Sequence, residues 1–297
     1  MLIMKHILLP TVLLLGLASA LSAQTTLQVA TKNIRKTVPW KPGYEISINC
    51  EKAEVEVVPS GENSIRISAE LSARHPRLDS ADYDLKAWQF VVSTIGKKIY
   101  IRAYIGLKSG EPAPHSSLKA VLKLSVPASC PVDVSNKFGK AHLEKLDGAV
   151  ALHGEFCSFQ LVQLSGKIDL ESRFGDVEGR QLSGPVQMQV KRADIELSGL
   201  TNSCQLKSEY GQVKLETSER TGDVTVVSTK SDVHLRSTGL LLHNYDLRNT
   251  YGTVSVDSNL PFKYANPDKN THQASFKKAN SKKNIRVEAQ FGSIQLD

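Results

Sequence analysis

Apolar residues recur in this chain at every second position, in short runs that restart at a fixed step. The column Val132, Val150, Ile168, Val186, Cys204 advances by 18 residues each time. A second column, Val134, Leu152, Leu170, Met188, Leu206, follows two positions later. Polar residues such as Asp133, Asp169, Gln187 and Gln205 stand between them. Alternation of this kind sends one set of side chains inward and the other outward, so each run is a strand. The pattern then breaks at a two-residue turn: Phe138-Gly139, Phe156-Cys157, Phe174-Gly175, Arg192-Ala193 and Tyr210-Gly211. Lys230-Ser231, Tyr251-Gly252 and Phe291-Gly292 continue the series after insertions. A second strand follows each turn, with Ala141, Phe159, Val177, Ile195, Val213, Val233, Val254 and Ile294 facing inward.

A strand-turn-strand-turn unit of 18 residues contains about 59 Å of extended chain at roughly 3.3 Å per residue. That suits one flattened circuit of an all-β, single-stranded parallel β-solenoid with about 18 residues per rung. Successive circuits then stack at about 4.8 Å, and equivalent residues form ladders. An antiparallel sandwich accounts for the alternation but gives no reason for four consecutive intervals of 18. Gly148, Gly166, Gly184, Asn202 and Gly222 fall at the other corner, where positive φ is expected of them.

The region 24–127 obeys a different rule. Ile46, Ile48, Val55 and Val57 fit one isolated rung around Lys52-Ala53. Residues 60–127 read as an antiparallel insert. Ile65 to Leu71 alternate as a strand, Trp88 to Val92 and Ile99 to Ile105 form a hairpin across Gly96-Lys97-Lys98, and Leu118 to Val126 supply another strand. His75–Asp84 reads as a polar loop. The insert is expected to cap one end of the repeats at 128–297, because an open strand edge invites aggregation. The last rung, ending at Leu296, is expected to lie uncapped at the other end.

Composition adds compartment and excludes some partners. Lys5 and His6, an apolar run Ile7–Leu17 and the small residues Ala18 to Ala23 read as a signal peptide over 1–23. The run is too short to span a bilayer, which needs about 20 apolar residues. The chain is therefore expected to be exported: periplasmic, outer-surface or secreted. Its net charge of +7 is uneven. Residues 261–284 hold Lys263, Lys269, Lys277, Lys278, Lys282 and Lys283 against Asp268 alone, and read as a solvated loop. Nucleic acid is not an expected partner of an exported chain. Cys50, Cys130, Cys157 and Cys204 are too dispersed for a metal site and read as small buried side chains. A Cys50–Cys130 bridge is the alternative that export permits. No nucleophile elbow, zinc-protease helix or phosphate loop is present, and no cofactor is expected.

The run Val126-Pro127-Ala128-Ser129 leads into Val132-Asp133-Val134-Ser135-Asn136-Lys137-Phe138-Gly139. Leu164-Ser165-Gly166-Lys167-Ile168 and Phe174-Gly175-Asp176-Val177 follow. Across roughly residues 40–297 these units resemble the bacterial putative adhesin family DUF4097, with its SGxV and xGDVxV units, and the related GIN-type adhesin head domain. The resemblance implies a β-solenoid on exported bacterial proteins and an adhesive role. It implies no catalytic residues. The sequence departs from the family pattern where Cys157, Ala193 and Ser231 replace glycine and where the Lys-rich segment interrupts the last rungs.

Two columns carry candidate chemistry. Phe138, Phe156, Phe174, Arg192, Tyr210 and Tyr251 line one edge and are the candidate ligand-binding residues; Phe291, Lys52 and Lys230 share their column. Aromatic rings can stack on sugar faces and cations on rings. Asp176 with Asp194, and Glu178 with Glu196, occupy matching positions on adjacent rungs. Close carboxylates can share a proton or hold a hard cation. The expected function is an exported, non-enzymatic binding or structural module for an envelope glycan or surface protein. The alternative is a carbohydrate-active β-helix enzyme, a polysaccharide lyase or hydrolase, using the stacked carboxylates.

Overall fold

The computed structural model describes residues 26–297 except 258 and 260; the expected signal peptide lies outside the described residues. The N-terminal part forms β1 (Gln28–Pro39), β2 (Glu45–Glu51), β3 (Ala53–Ser60), β4 (Ser64–His75), helix α1 (Leu78–Leu85), β5 (Trp88–Ile95), β6 (Lys98–Ile105) and β7 (Ser117–Pro127). The middle forms β8 (Val132–Glu144), β9 (Val150–Val162), β10 (Ile168–Arg173), β11 (Val177–Arg180), β12 (Val186–Lys191), β13 (Ile195–Ser198), β14 (Cys204–Thr217) and β15 (Val224–Ser237). The last part forms β16 (Asn244–Thr250), β17 (Thr253–Val256), β18 (Lys263–Asp268), β19 (Thr271–Phe276), β20 (Asn284–Gln290) and β21 (Ser293–Leu296). The fold is all-β and solenoid-like.

The middle strands stack in the order of the chain. β8 pairs parallel with β9, β9 with β10 and β11, and so on to β15. Val132 stands opposite Val150, Val150 opposite Ile168, Ile168 opposite Val186, and Cys204 opposite Val224. The alternating apolar residues are buried between the two walls of each circuit, Leu152, Leu161, Ile168 and Leu170 completely. Full burial of one such side chain contributes about 1.5–3 kcal/mol, and every circuit repeats it.

At both ends the stacking order departs from chain order. β2 and β3 lie against β8, and β6 and β7 lie on β2 and β3, all parallel. β5 and β4 then close that end antiparallel to β6 and β7, with β1 antiparallel to β4 as the outermost strand. At the other end β20 and β21 pair with β15 on one side and with β16 and β17 on the other. The last circuit of the chain is therefore interior. The expectation of an uncapped terminal rung at Leu296 is incorrect, because β15 and β17 hold both of its edges.

The Lys-rich segment is likewise no plain loop. β18 and β19 form an antiparallel hairpin, and β19 closes the stack by pairing antiparallel with β16. Thr271 and Ala274 turn inward and are buried, while the lysines stay outside. The stretch read as a loop at His75–Asp84 contains α1, which buries Ala81 and Asp84. The Asp84 carboxylate accepts a 2.8 Å hydrogen bond from the Ser116 backbone N–H and so ties the helix to the entry of β7.

The corners differ from expectation in which residue bears the strain. Positive φ falls on Lys145, Gln163 and Gln181, not on Gly148, Gly166 and Gly184. Those glycines are required for close approach instead: a Cβ on Gly166 would lie 2.0 Å from the Gly148 carbonyl oxygen, and one on Gly184 1.9 Å from that of Gly166. All four cysteines are buried and free, so the Cys50–Cys130 bridge is not formed. Burial pushes the Cys50, Cys130 and Cys204 thiols up to about 12 and that of Cys157 to about 11, so none is a ready nucleophile at neutral pH.

Candidate functional site

Each circuit turns between its two strands at a residue in the left-handed region. Lys52, Phe138, Phe156, Phe174, Arg192, Tyr210, Lys230, Phe291 and Tyr251 occupy these corners in stacking order, with φ between 50° and 62°. This conformation costs a non-glycine residue roughly 1–2 kcal/mol. The residue after it is under a separate constraint of close approach. Ala53, Gly139, Cys157, Gly175, Ala193, Gly211 and Ser231 form the next column. There a Cβ on Gly139, Gly175 or Gly211 would fall 1.9–2.2 Å from the carbonyl oxygen of Ala53, Cys157 or Ala193. Glycine therefore alternates with a small side chain along that column. The three replacements that depart from the family pattern are the spared positions.

The corner side chains point outward and meet their neighbours face to face. Phe138 and Phe156 stack with centroids 5.2 Å apart and planes 5° apart; Phe156 and Phe174 stack at 4.6 Å and 6°. The Arg192 guanidinium lies 5.5 Å from the Phe174 centroid and 5.6 Å from that of Tyr210, so one cation bridges two rings. Lys230 Nζ sits 4.9 Å from the Tyr210 centroid and donates a 2.9 Å hydrogen bond to its hydroxyl. That bond holds the Lys230 ammonium above the usual lysine range. Tyr251 and Phe291 stack at 5.0 Å and 8°. The six aromatic residues are 39–54% exposed. Nine corners at about 4.8 Å per step make a ridge about 38 Å long.

The six candidate ligand residues thus stand in one line, together with Lys52, Lys230 and Phe291. Phe291 is the member that chain order misplaces. It lies between Lys230 and Tyr251 because the last circuit is interposed. The geometry changes what the ridge offers. Phe156, Phe174 and Tyr210 have a neighbour on both ring faces, and Phe138, Phe291 and Tyr251 have one stacked ring each, so edges make up much of what is open. Aromatic edges carry the positive part of the ring quadrupole, and the intervening cations have the same sign. Flanking the ridge, Lys191 pairs with Glu209 at 2.7 Å and Lys137 with Glu155 at 3.4 Å.

Three of the four stacked carboxylates, Asp176, Asp194 and Glu178, already have partners. Asp176 Oδ1 accepts the Asp194 backbone N–H at 2.9 Å, and Asp194 Oδ1 accepts the Gln212 N–H at 2.8 Å. Asp232 does the same for Ser293, at 2.8 Å from the N–H and 2.6 Å from the hydroxyl. Each holds the backbone of the next circuit. Glu178 accepts from Gln160 at 3.2 Å and pairs with Arg180. Asp176, Glu178, Asp194 and Glu196 border a shallow groove of about 470 Å³ that also exposes Lys140 and Lys214. Among the described residues, no three His, Cys, Asp or Glu side chains are grouped to hold a metal ion. No described helix is long and apolar enough to cross a membrane.

The Toastrack DUF4097 family matches residues 132–297. Three solved structures match this chain at low identity. One, described as a putative cell adhesion protein from Clostridium sporogenes, is 12% identical over 90% of this chain and 99% of that chain, with a TM-score of 0.31. A putative adhesin from Bacteroides fragilis is 10% identical over 90% and 97%, with a TM-score of 0.46. A putative adhesin from Parabacteroides merdae is 8% identical over 91% and 96%, with a TM-score of 0.40. No curated protein matches.

Proposed function

The chain belongs to the Toastrack DUF4097 family, and on that footing we propose that it is an exported, non-enzymatic binding module. In this reading one single-stranded parallel β-solenoid, closed at each end by antiparallel strands, holds the aromatic and cationic ridge straight. The ridge is the contact surface. One observation carries the proposal: an unbroken line of exposed ring edges and cations, all held in a strained backbone conformation. Outward side chains at a corner could be any soluble residue. Large apolar rings exposed to water in a contiguous line favour a partner.

Electropositive edges and the Arg192 and Lys230 cations suit an extended, oxygen-rich polymer lying along the ridge. An envelope glycan fits that description better than an apolar ligand, and a surface protein is the competing partner. The site of encounter is then the periplasm, the outer surface or the medium. Asp176 and Asp194, which hold the backbone of the next circuit, are given no part in this role.

The proposal is tested by applying the exported chain to a glycan array and to washed bacterial envelopes, beside the triple variant F138A/F156A/F174A. The wild type is expected to be retained, and the variant to lose at least tenfold in affinity at unchanged secondary structure. Equal retention of both would remove the ridge from the account. Breakdown of any polysaccharide, lost in D176N, would replace the module with an enzyme.

A further inference from the structure

The end of the stack opposite the Lys-rich hairpin carries a second, unrelated surface. On the outward face of β1, β4 and β7, the register sets Arg35 opposite Ser68 and Ser68 opposite Lys123. One row along, Thr37 stands opposite Arg66 and Arg66 opposite Ser125. Three cations and three hydroxyls therefore alternate in a two-by-three grid. Strands lie about 4.8 Å apart and same-face residues of one strand about 7 Å apart, so within the grid every cation stands next to hydroxyls, while Lys123 also faces Glu56 of β3 on its outer side. These six residues line a shallow cleft of about 320 Å³ that no carboxylate enters.

We infer that this grid binds a tetrahedral oxyanion, a phosphate or sulfate group carried as an ester on a larger ligand. Arginine and lysine supply charge, and the hydroxyls supply further donors. A grid of donors spread over three strands matches the several oxygens of a tetrahedral group better than the two of a carboxylate. Two internal acids compete: Glu62 pairs with Arg66 at 2.9 Å and Glu56 with Lys123 at 3.4 Å. The Arg66–Glu62 pair is about half exposed on both sides, and such pairs are weakly held. Among the described residues, Arg35 has no carboxylate within ion-pair distance. Access is open because Arg35, Thr37, Arg66, Ser68 and Lys123 are all exposed, and β1 is the outermost described strand. On its other face β1 turns Lys32 and Lys36 toward the core side, in phase with Ile34 and Val38. Inward charge of this kind discourages another strand from docking there, which keeps the edge of the grid free.

The test measures binding of three probes to the exported chain at low and at physiological salt: inorganic phosphate, dextran sulfate and vesicles containing phosphatidic acid. Neutral dextran is the control. At least one anionic probe is expected to bind, and which of them does so distinguishes free anion, sulfated polymer and lipid headgroup. The variant R35A/R66A/K123A is expected to lose at least tenfold. S68A/S125A, which keeps every charge, is expected to lose severalfold. K269A/K277A/K278A, which removes as much charge from the opposite end, is expected to bind as wild type does. Failure of all three anionic probes to bind would overturn the site. So would wild-type binding by S68A/S125A, or an equal loss in the opposite-end variant, since either would leave only diffuse charge.

Discussion

Replacing Gly166 with alanine is expected to lower stability by about 3 kcal/mol, toward the upper end for overpacking a well-ordered interior. The added Cβ would lie 2.0 Å from the Gly148 carbonyl oxygen and 2.4 Å from its carbon. Both atoms are backbone, so no side chain can swing aside. The circuits cannot separate locally either. Ser165 N–H bonds the Leu146 carbonyl at 2.9 Å and Ser183 N–H bonds that of Leu164 at 2.9 Å, pinning the corner above and below. In a chain of this size the loss corresponds to a fall in Tm of roughly 6–12 °C. Gly61 is the control, having nothing within 4 Å of its added Cβ and no positive φ. G61A is expected to stay within about 0.5 kcal/mol of the wild type. Thermal unfolding followed by circular dichroism measures both. Equal stability of G166A and G61A would refute the close stacking of the corners.

The second large effect concerns the interposed circuit. Deleting residues 284–297 removes β20 and β21, and with them the pairing partners of β15 on one side and of β16 and β17 on the other. Val287 and Leu296 are fully buried there, so the deletion opens the apolar interior as well as two strand edges. The expected result is loss of order in β16 to β19 and self-association through the freed edge of β15. Hydrogen exchange reports the first, as lost protection across Asn244–Val256 and Thr271–Phe276. Light scattering reports the second. A chain wound strictly in sequence order would lose only its final turn and keep those segments protected.

That contrast shows where the sequence was legible. The two apolar columns and the 18-residue step specify that circuits stack and which residues share a line. They do not specify which circuit sits on which. Val224, Ile285 and Tyr245 hold equivalent positions, and the backbone bonds between circuits are indifferent to chain order, so the permuted ends left no trace in the pattern. The corner line of Phe138, Phe156, Phe174, Arg192, Tyr210 and Tyr251 was legible for the same reason the stack was.

Its strain was not. Positive φ is ordinarily a glycine property, yet here it falls on the aromatic residues, while the glycines serve close approach. β1 is masked in the sequence because Lys32 and Lys36 occupy its inward phase. They leave only Ala30, Ile34 and Val38 apolar, a spacing of four that no strand pattern matches. The cation grid depends on β1, so it became visible only with the register. The carboxylate pairs were placed correctly on adjacent circuits. Their occupation by the N–H groups of Asp194 and Gln212 is a matter of corner geometry, which the alternation does not encode.

The stacking order itself is open to one direct measurement, disulfide capture between outward positions on neighbouring circuits. Arg286 stands opposite Thr225 on one side and Asp246 on the other, at the Cα separation of about 4.8 Å that parallel neighbours share and that a disulfide accepts. Thr225 and Asp246 are then two circuits apart, too far to bridge. The native cysteines are buried and will not interfere. Under mild oxidation T225C/R286C is expected to cross-link in the folded protein and T225C/D246C to remain reduced. The reverse outcome, a bond between positions 225 and 246 and none between 225 and 286, would contradict the fold.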